Sequence, residues 1–299
     1  MLSNRSTASG VGLERLCSQA SADWMRSTDA ENGVECLEAW FQGYAYHKHR
    51  HDTYAICLTT SGVQAFDYRG ATEISTPGQV VVLHPDELHD GRAGTEAGFG
   101  YRMLYIEPAL IFEAAQVLCG HACALPFVRN PVMASSKLSA AVTSTFQCAR
   151  EPLAIDSLIV QLAEGLLDAD PSCTRDARPR HLDVAALERA RQYLDAERTR
   201  VVRSVELEAV TGLTRYDLAR QFRAMCGTSP YRYLLMRRLE EAREQLARHR
   251  PLVDVALDAG FADQAHFTRM FKAAFGLTPA RYTALRAQER DGTGSRSFL

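Results

Sequence analysis

Apolar and polar positions change their period twice along the chain. Between residues 34 and 106, VECLEAWF, YAICLTTSG, VQAFDYRG, GQVVVLH and FGYRMLYI are short runs rich in β-branched and aromatic residues, separated by Gly, Pro or Asp. Such runs at short spacing predict the strands of an all-β sandwich or barrel. From Pro108 the spacing becomes helical, with Leu110, Ile111, Ala114 and Leu118 on one side of PALIFEAAQVL. A second helix is predicted over 136–149. A third, over 152–168, sets Ile155, Leu158, Ile159, Leu162 and Leu166 on one apolar stripe. Residues 169–181 carry two prolines and mixed charges without periodicity, which marks a linker. Helical spacing returns over 182–288, where Val184, Leu187, Ala190, Arg191 and Leu194 trace the first amphipathic helix. The pattern predicts two domains: an arm (1–33), a β-barrel (34–107) with trailing helices (108–168), the linker, an all-α domain (182–288) and a tail (289–299).

The all-α domain repeats itself. Shifted by 49 residues, LARQFRAMCGTSPYRY lies on FTRMFKAAFGLTPARY. Arg220 then matches Arg269, Phe222 matches Phe271, Gly227 matches Gly276, and Tyr233 matches Tyr282. Gly212 matches Gly260 with one residue less of offset. In the first copy Ser204 is a candidate N-cap for VELEAV, and Gly212 is a candidate left-handed cap ending that helix. Thr214 then caps a second helix, with Asp217 three residues on. In the second copy VDVALDA runs to Gly260 and Asp263 caps the next helix. Two helices joined by a short Gly turn form a helix-turn-helix unit, whose second helix can enter a major groove.

Each second helix has two readable faces. Leu218 with Phe222, and Phe267 with Phe271, are i, i+4 pairs that should turn inward. Tyr216, Arg220 and Arg223 lie on the opposite side of the first helix. Gln264, Thr268, Arg269 and Lys272 are candidates for the outward side of the second. Arg pairs with guanine and Gln with adenine through two hydrogen bonds, while Arg223 and Lys272 suit phosphate. Between the copies, PYRYLLMRRLEEAREQLAR reads as one helix roughly 28 Å long. It would hold the two units about one DNA turn apart, near 34 Å.

At these residues the chain resembles the AraC/XylS family of bacterial transcription regulators. The match is A-x-x-A-G-F-x-D-Q-x-x-F-x-R-x-F-K-x-x-F-G-x-T-P-x-R-Y, from Ala256 to Tyr282. Residues 34–106 are more loosely similar to the cupin-type sensor barrel of that family. The resemblance implies a seven-helix DNA-binding domain that reads double-stranded DNA as a homodimer, controlled by a small-molecule effector and working with RNA polymerase, as an activator or a repressor. It implies base contacts at Tyr216, Ala219 and Arg220, and at Gln264, Ala265, Thr268 and Arg269. Ala219 and Ala265 depart towards small residues and offer only apolar contact. The helices of 108–168 resemble the family's dimerisation segment.

Composition adds three refinements. Residues 201–290 hold 15 Lys or Arg against 10 Asp or Glu, whereas the whole chain carries a net charge of -2. A basic third beside an acidic remainder fits a polyanion partner for that third alone. The eight cysteines form no C-x-x-C pair, which fits a reducing cytoplasm. Cys119, His121 and Cys123 lack a fourth zinc ligand. No apolar run reaches the length of a membrane span, and none at the N-terminus resembles a signal peptide.

One stretch raises different chemistry. HKHRHDTY places His47, His49 and His51 at alternate positions, on one face if the stretch is a strand. His49 and His51, with His89 from VVVLHPDELHD, are weak candidates for a three-histidine metal site. The acidic ligand that completes a metal-binding cupin is missing, because Asp52 would point to the other face of a strand. The histidines therefore read first as walls of an effector pocket, with Tyr54, Tyr68 and Arg102 as further candidates. Two competing functions stay open: a metal-dependent cupin enzyme with a helical appendage, and an effector-independent regulator using the barrel as a dimer scaffold.

Overall fold

A computed structural model describes residues 23–291 except 29–32, 121–122, 147–151, 171–181, 249 and 262. Most of the predicted arm, nearly all of the linker and tail, and His121 fall outside the described residues. The described residues of the N-terminal half form ten strands: β1 Trp24–Ser27, β2 Val34–Phe41, β3 Tyr44–His49, β4 Tyr54–Gly62, β5 Gln64–Tyr68, β6 Ala71–Ser75, β7 Val80–Leu83, β8 His89–Ala93, β9 Phe99–Ile106 and β10 Val132–Met133. They form two sheets, in the orders β1-β2-β9-β4-β7-β10 and β3-β8-β5-β6. The expected barrel is thus two facing sheets, not one closed sheet. Strand β1 lies inside the predicted arm. It pairs antiparallel with β2, Trp24 opposite Trp40 and Ser27 opposite Leu37.

The larger sheet is apolar on both faces, and the period of two sorts its side chains. Leu37, Ala39, Ala55, Cys57, Tyr101 and Met103 point between the sheets. Their neighbours Cys36, Tyr54, Ile56, Val82 and Leu104 point outward, under the helices that follow. These are α1 Pro108–Cys119, α2 Ser136–Thr145 and α3 Pro152–Ala169. The α3 stripe of Ile155, Leu158, Ile159, Leu162 and Leu166 is buried in this outer layer. The predicted stripe is therefore real, but in one chain it covers the back of the sheet. The family-derived dimerisation role cannot use that face, and α3 leaves Asp156, Val160 and Gln161 outward.

Among the described residues seven helices follow: α4 Val184–Ala196, α5 Ser204–Thr211, α6 Arg215–Cys226, α7 Pro230–Ala247, α8 Leu252–Asp258, α9 Gln264–Phe275 and α10 Pro279–Asp291. The two halves share their cores. Phe112 of α1 is buried with Leu187 of α4 and with Leu218 and Phe222 of the first helix-turn-helix unit. The core between the sheets continues into Met236, Leu239, Phe267 and Phe271 around the second.

Candidate nucleic-acid interface and sensor cavity

Each reading helix is started by a side chain and stopped by a glycine. Thr214 Oγ1 accepts from the Asp217 N–H (3.2 Å) to open α6, and Asp263 Oδ1 accepts from the His266 N–H (2.6 Å) to open α9. Gly227 and Gly276 close them at φ of 72° and 70°, a conformation glycine adopts without a Cβ penalty. Gly212 ends α5 at φ 73°. The N-cap of that helix is Arg203, one residue before the expected Ser204. The Arg203 N–H donates to Glu206 (2.8 Å).

The predicted faces hold. Leu218, Phe222, Phe267 and Phe271 are buried. Tyr216 is 78% exposed, and Ala219, Arg220, Gln264, Ala265 and Arg269 are exposed as well. Thr268 and Lys272 are half-buried. Among the described residues, Arg220 pairs only with Asp217 on its own helix (3.3 Å), a surface pair that water screens. Arg223 differs from the others. Its guanidinium lies 3.8 Å from Asp86 of the β-domain.

The opposite, C-terminal ends of both reading helices rest on the β-domain. The carbonyls of Ala273 and Gly276 accept from the N–H groups of Arg50 (3.2 Å) and His47 (3.1 Å). A Cβ on Gly276 would sit 2.8 Å from His49 Nδ1 and 3.0 Å from the His47 carbonyl oxygen; one on Gly227 would sit 2.6 Å from Pro85 Cβ. Arginines of α7 tie the same interface. Arg243 grips Glu35 with two hydrogen bonds of 3.0 and 2.8 Å, Arg237 donates to Asp52 Oδ2 (3.0 Å), and Arg232 donates to the Arg50 carbonyl (2.6 Å).

Between the domains lies a cavity of about 70 Å³, partly open to solvent. The β-domain contributes Glu35, Tyr46, His49, His51, Asp52 and Tyr105. The helical domain contributes Met236, Glu240, Arg243, Phe275 and Tyr282. Sequence reasoning found only the histidines here. The other residues meet across some 200 positions of chain, a distance no local period reports.

The histidine alternation resolves differently from its strand reading. Strand β3 stops at His49, and its pairing with β8 is irregular. His47 is left exposed, while His49 and His51 turn inward with His89. Ring centroids are 4.3 Å apart for His49–His89 and 4.8 Å for His51–His89. Each Nδ1 lies on a main-chain carbonyl: His49 on His47 (2.8 Å), His51 on Thr53 (2.9 Å), His89 on Glu87 (3.0 Å). Donation to those carbonyls leaves each Nε2 as a lone pair. Burial, then the neighbouring imidazole, lowers His51 and His89 to about 3 and His49 well below the usual histidine range. All three are neutral at physiological pH. Among the described residues, no group of three or more His, Cys, Asp or Glu is placed to hold a metal ion. Asp52, expected on the far face from His51, is buried and lines the cavity beside it, because the chain has already left the strand.

The other sensor candidates fall elsewhere. The Tyr54 hydroxyl donates to the Pro126 carbonyl (2.7 Å), under the outer helices. Tyr68 bonds His84 (3.1 Å). Arg102 pairs with Glu38 (2.7 Å) and stacks on Phe146. None of the three lines the interdomain cavity.

Known proteins match this arrangement. Residues 31–163 match the AraC-like ligand binding domain and residues 207–284 a helix-turn-helix domain. The probable transcriptional regulator LumQ of Photobacterium leiognathi is 31% identical over 91 residues, 30% of this chain and 37% of LumQ. The chain thus spans little over a third of that relative. The HTH-type transcriptional regulator YbfI of Bacillus subtilis is 24% identical over 74% of this chain and 81% of its own. Apo ToxT of Vibrio cholerae superposes with a TM-score of 0.61 at 14% identity, covering 86% of this chain and 99% of ToxT. ToxT with a bound unsaturated fatty acid gives 0.58, also at 14%, covering 89% and 96%. At such identity the likeness carries the fold alone. No described helix is long and apolar enough to cross a membrane. With the ligand-binding domain ahead of paired helix-turn-helix units, this chain belongs to the AraC family of DNA-binding transcription regulators.

Proposed function

We propose that the chain reads a specific DNA sequence through α6 and α9 under control of a small molecule held in the interdomain cavity. The observation that carries the first part is the pair of matched reading faces. Tyr216, Ala219 and Arg220, and Gln264, Ala265, Thr268 and Arg269, supply base contacts, and Arg223 and Lys272 supply phosphate contacts. The observation that carries the second is the cavity itself, walled by both domains, so that an occupant touches sensor and reader together. ToxT with its bound fatty acid lends support as a protein of the same fold that takes a small ligand. A ligand that favours one docking of the two domains shifts the population that can bind DNA. Arg223 gives that shift a route, because a phosphate and Asp86 compete for one guanidinium.

The regulator acts in the cytoplasm on double-stranded DNA as a homodimer, with RNA polymerase as its further partner. The second copy is held by a surface other than the buried α3 stripe. Titration onto the DNA flanking its own gene tests the reading. Arg220→Ala and Arg269→Ala should each weaken specific binding by about 1–3 kcal/mol, while non-specific binding barely changes. Unchanged specific affinity in both variants contradicts it.

A further inference from the structure

The interdomain cavity sets the hydroxyls of Ser27, Thr53 and three tyrosines beside buried acceptors, and two of those acceptors have no partner. His51 keeps its Nδ1–H on the Thr53 carbonyl (2.9 Å), so its Nε2 is a lone pair, and no hydrogen-bond partner reaches that atom. Asp52 is 3% exposed and gives Oδ2 to Arg237 (3.0 Å), while Oδ1 has no hydrogen-bond partner. Both residues line the cavity, as do the carboxyls of Glu35 and Glu240. Among the described residues, Arg243 is the one arginine or lysine of that lining, and Glu35 takes both its terminal nitrogens. Within the described lining an anionic ligand would therefore be buried beside the carboxyls of Glu35, Asp52 and Glu240, which is costly.

A cation meets the opposite conditions. Buried acceptors without partners are themselves unfavourable, and a donor that satisfies them removes that cost. The apolar wall is aromatic, with Tyr46, Tyr105, Phe275 and Tyr282, and aromatic faces attract cations. Tyr105 lies edge-on to the His51 ring at 5.2 Å, so an aromatic surface and the free Nε2 belong to one corner.

We propose that this cavity binds a compact organic amine in its protonated form. Its ammonium donates to His51 Nε2 and Asp52 Oδ1, and its apolar body lies against Tyr105 and Phe275. The cavity is small, about 70 Å³, which limits the occupant to a compact molecule. This assignment rests on the effector reading above and names its ligand class. It also gives the ligand a lever: Asp52 is the partner of Arg237 on α7, so charging the site changes a contact that joins the two domains.

The test uses the full chain and two sets of probes, built on phenylethyl and cyclohexylmethyl bodies. Each body carries an ammonium, a hydroxyl or a carboxylate head. Calorimetry at pH 7.5 should show an amine binding about tenfold or more tighter than its alcohol, with no binding of the carboxylate. Asp52→Asn should weaken the amine by about tenfold. Should that variant misfold, His51→Ala removes the Nε2 lone pair and leaves the Arg237 pair alone. A carboxylate that binds as well as its amine overturns the proposal. So does silence from both amines at millimolar concentration, or amine binding that neither variant weakens. The same preparations are titrated with DNA. Specific DNA binding alongside a silent amine overturns the ligand class only, whereas its absence overturns the regulatory reading itself.

Discussion

The two helix-turn-helix units share one local design and are held in place by different neighbours. Each has a capped reading helix closed by a left-handed glycine. The first unit leans on α1 through Phe112 and on the loop at Pro85. The second is gripped by main-chain hydrogen bonds from the strand that carries the histidines, and its end forms a wall of the cavity. The repeat therefore sets what each unit is, and the sheet edge sets which unit a bound ligand can feel. An occupant of the cavity touches α9 and α7 directly, whereas α6 meets the β-domain outside the cavity, at Pro85 and Asp86.

That asymmetry can be broken at several strengths. Arg243→Ala should have the largest effect, about 3–5 kcal/mol of stability by denaturant titration, because it leaves Glu35 buried without its partner. A loss below about 1 kcal/mol would mean the two halves do not depend on this link. Next come the glycines. Gly276→Ala should cost about 2–4 kcal/mol, combining left-handed strain with contacts under 3.0 Å to His49 Nδ1 and Tyr46 Cβ. Gly212, at similar φ, has nothing within 4 Å of an added Cβ, so Gly212→Ala pays the strain alone. Equal losses in the two variants would refute the docking of α9 on the sheet edge.

Much of this contrast was legible in the sequence, and one part was not. The caps at Thr214 and Asp263, the glycine stops and the inward pairs Leu218–Phe222 and Phe267–Phe271 are local, encoded within a dozen residues, and the repeat is read by setting the chain against itself at a shift of 49. The α3 stripe was readable too, but a period gives a buried face without naming what buries it. Strand β1 went unseen because four residues, WMRS, become a strand only through their pairing with β2. Asp52 and His51 share a wall because β3 ends at His49, two residues before the alternation in HKHRHDTY stops. Arg243 and Glu35 lie 208 positions apart, and nothing near either residue marks the other.

Acid should act on the cavity side of the molecule. His49, His51 and His89 have folded pKa values depressed below 6.5, so they remain neutral while the unfolded chain takes up protons. Their contribution is fully present above pH 6.5 and is lost as pH falls towards about 3. Each neutral histidine adds up to about 1.4 kcal/mol per pH unit in that window. Thermal melts from pH 7 to 5 should show the fall, and His89→Gln should flatten it. An identical slope in the variant would remove the histidines from the account. The smallest effects belong to the caps: Thr214→Ala and Asp263→Ala should each cost about 1 kcal/mol. Near-equal losses there would place the difference between the units in their docking and not in their local design.

The central claim is that α6 and α9 read DNA as a pair. Footprinting of the wild type, Arg220→Ala and Arg269→Ala on one specific site tests it most directly. The account predicts that each variant loses protection over a different short segment, the two lying about one helical turn apart. Full protection in both variants, or loss of the same segment in both, would contradict it.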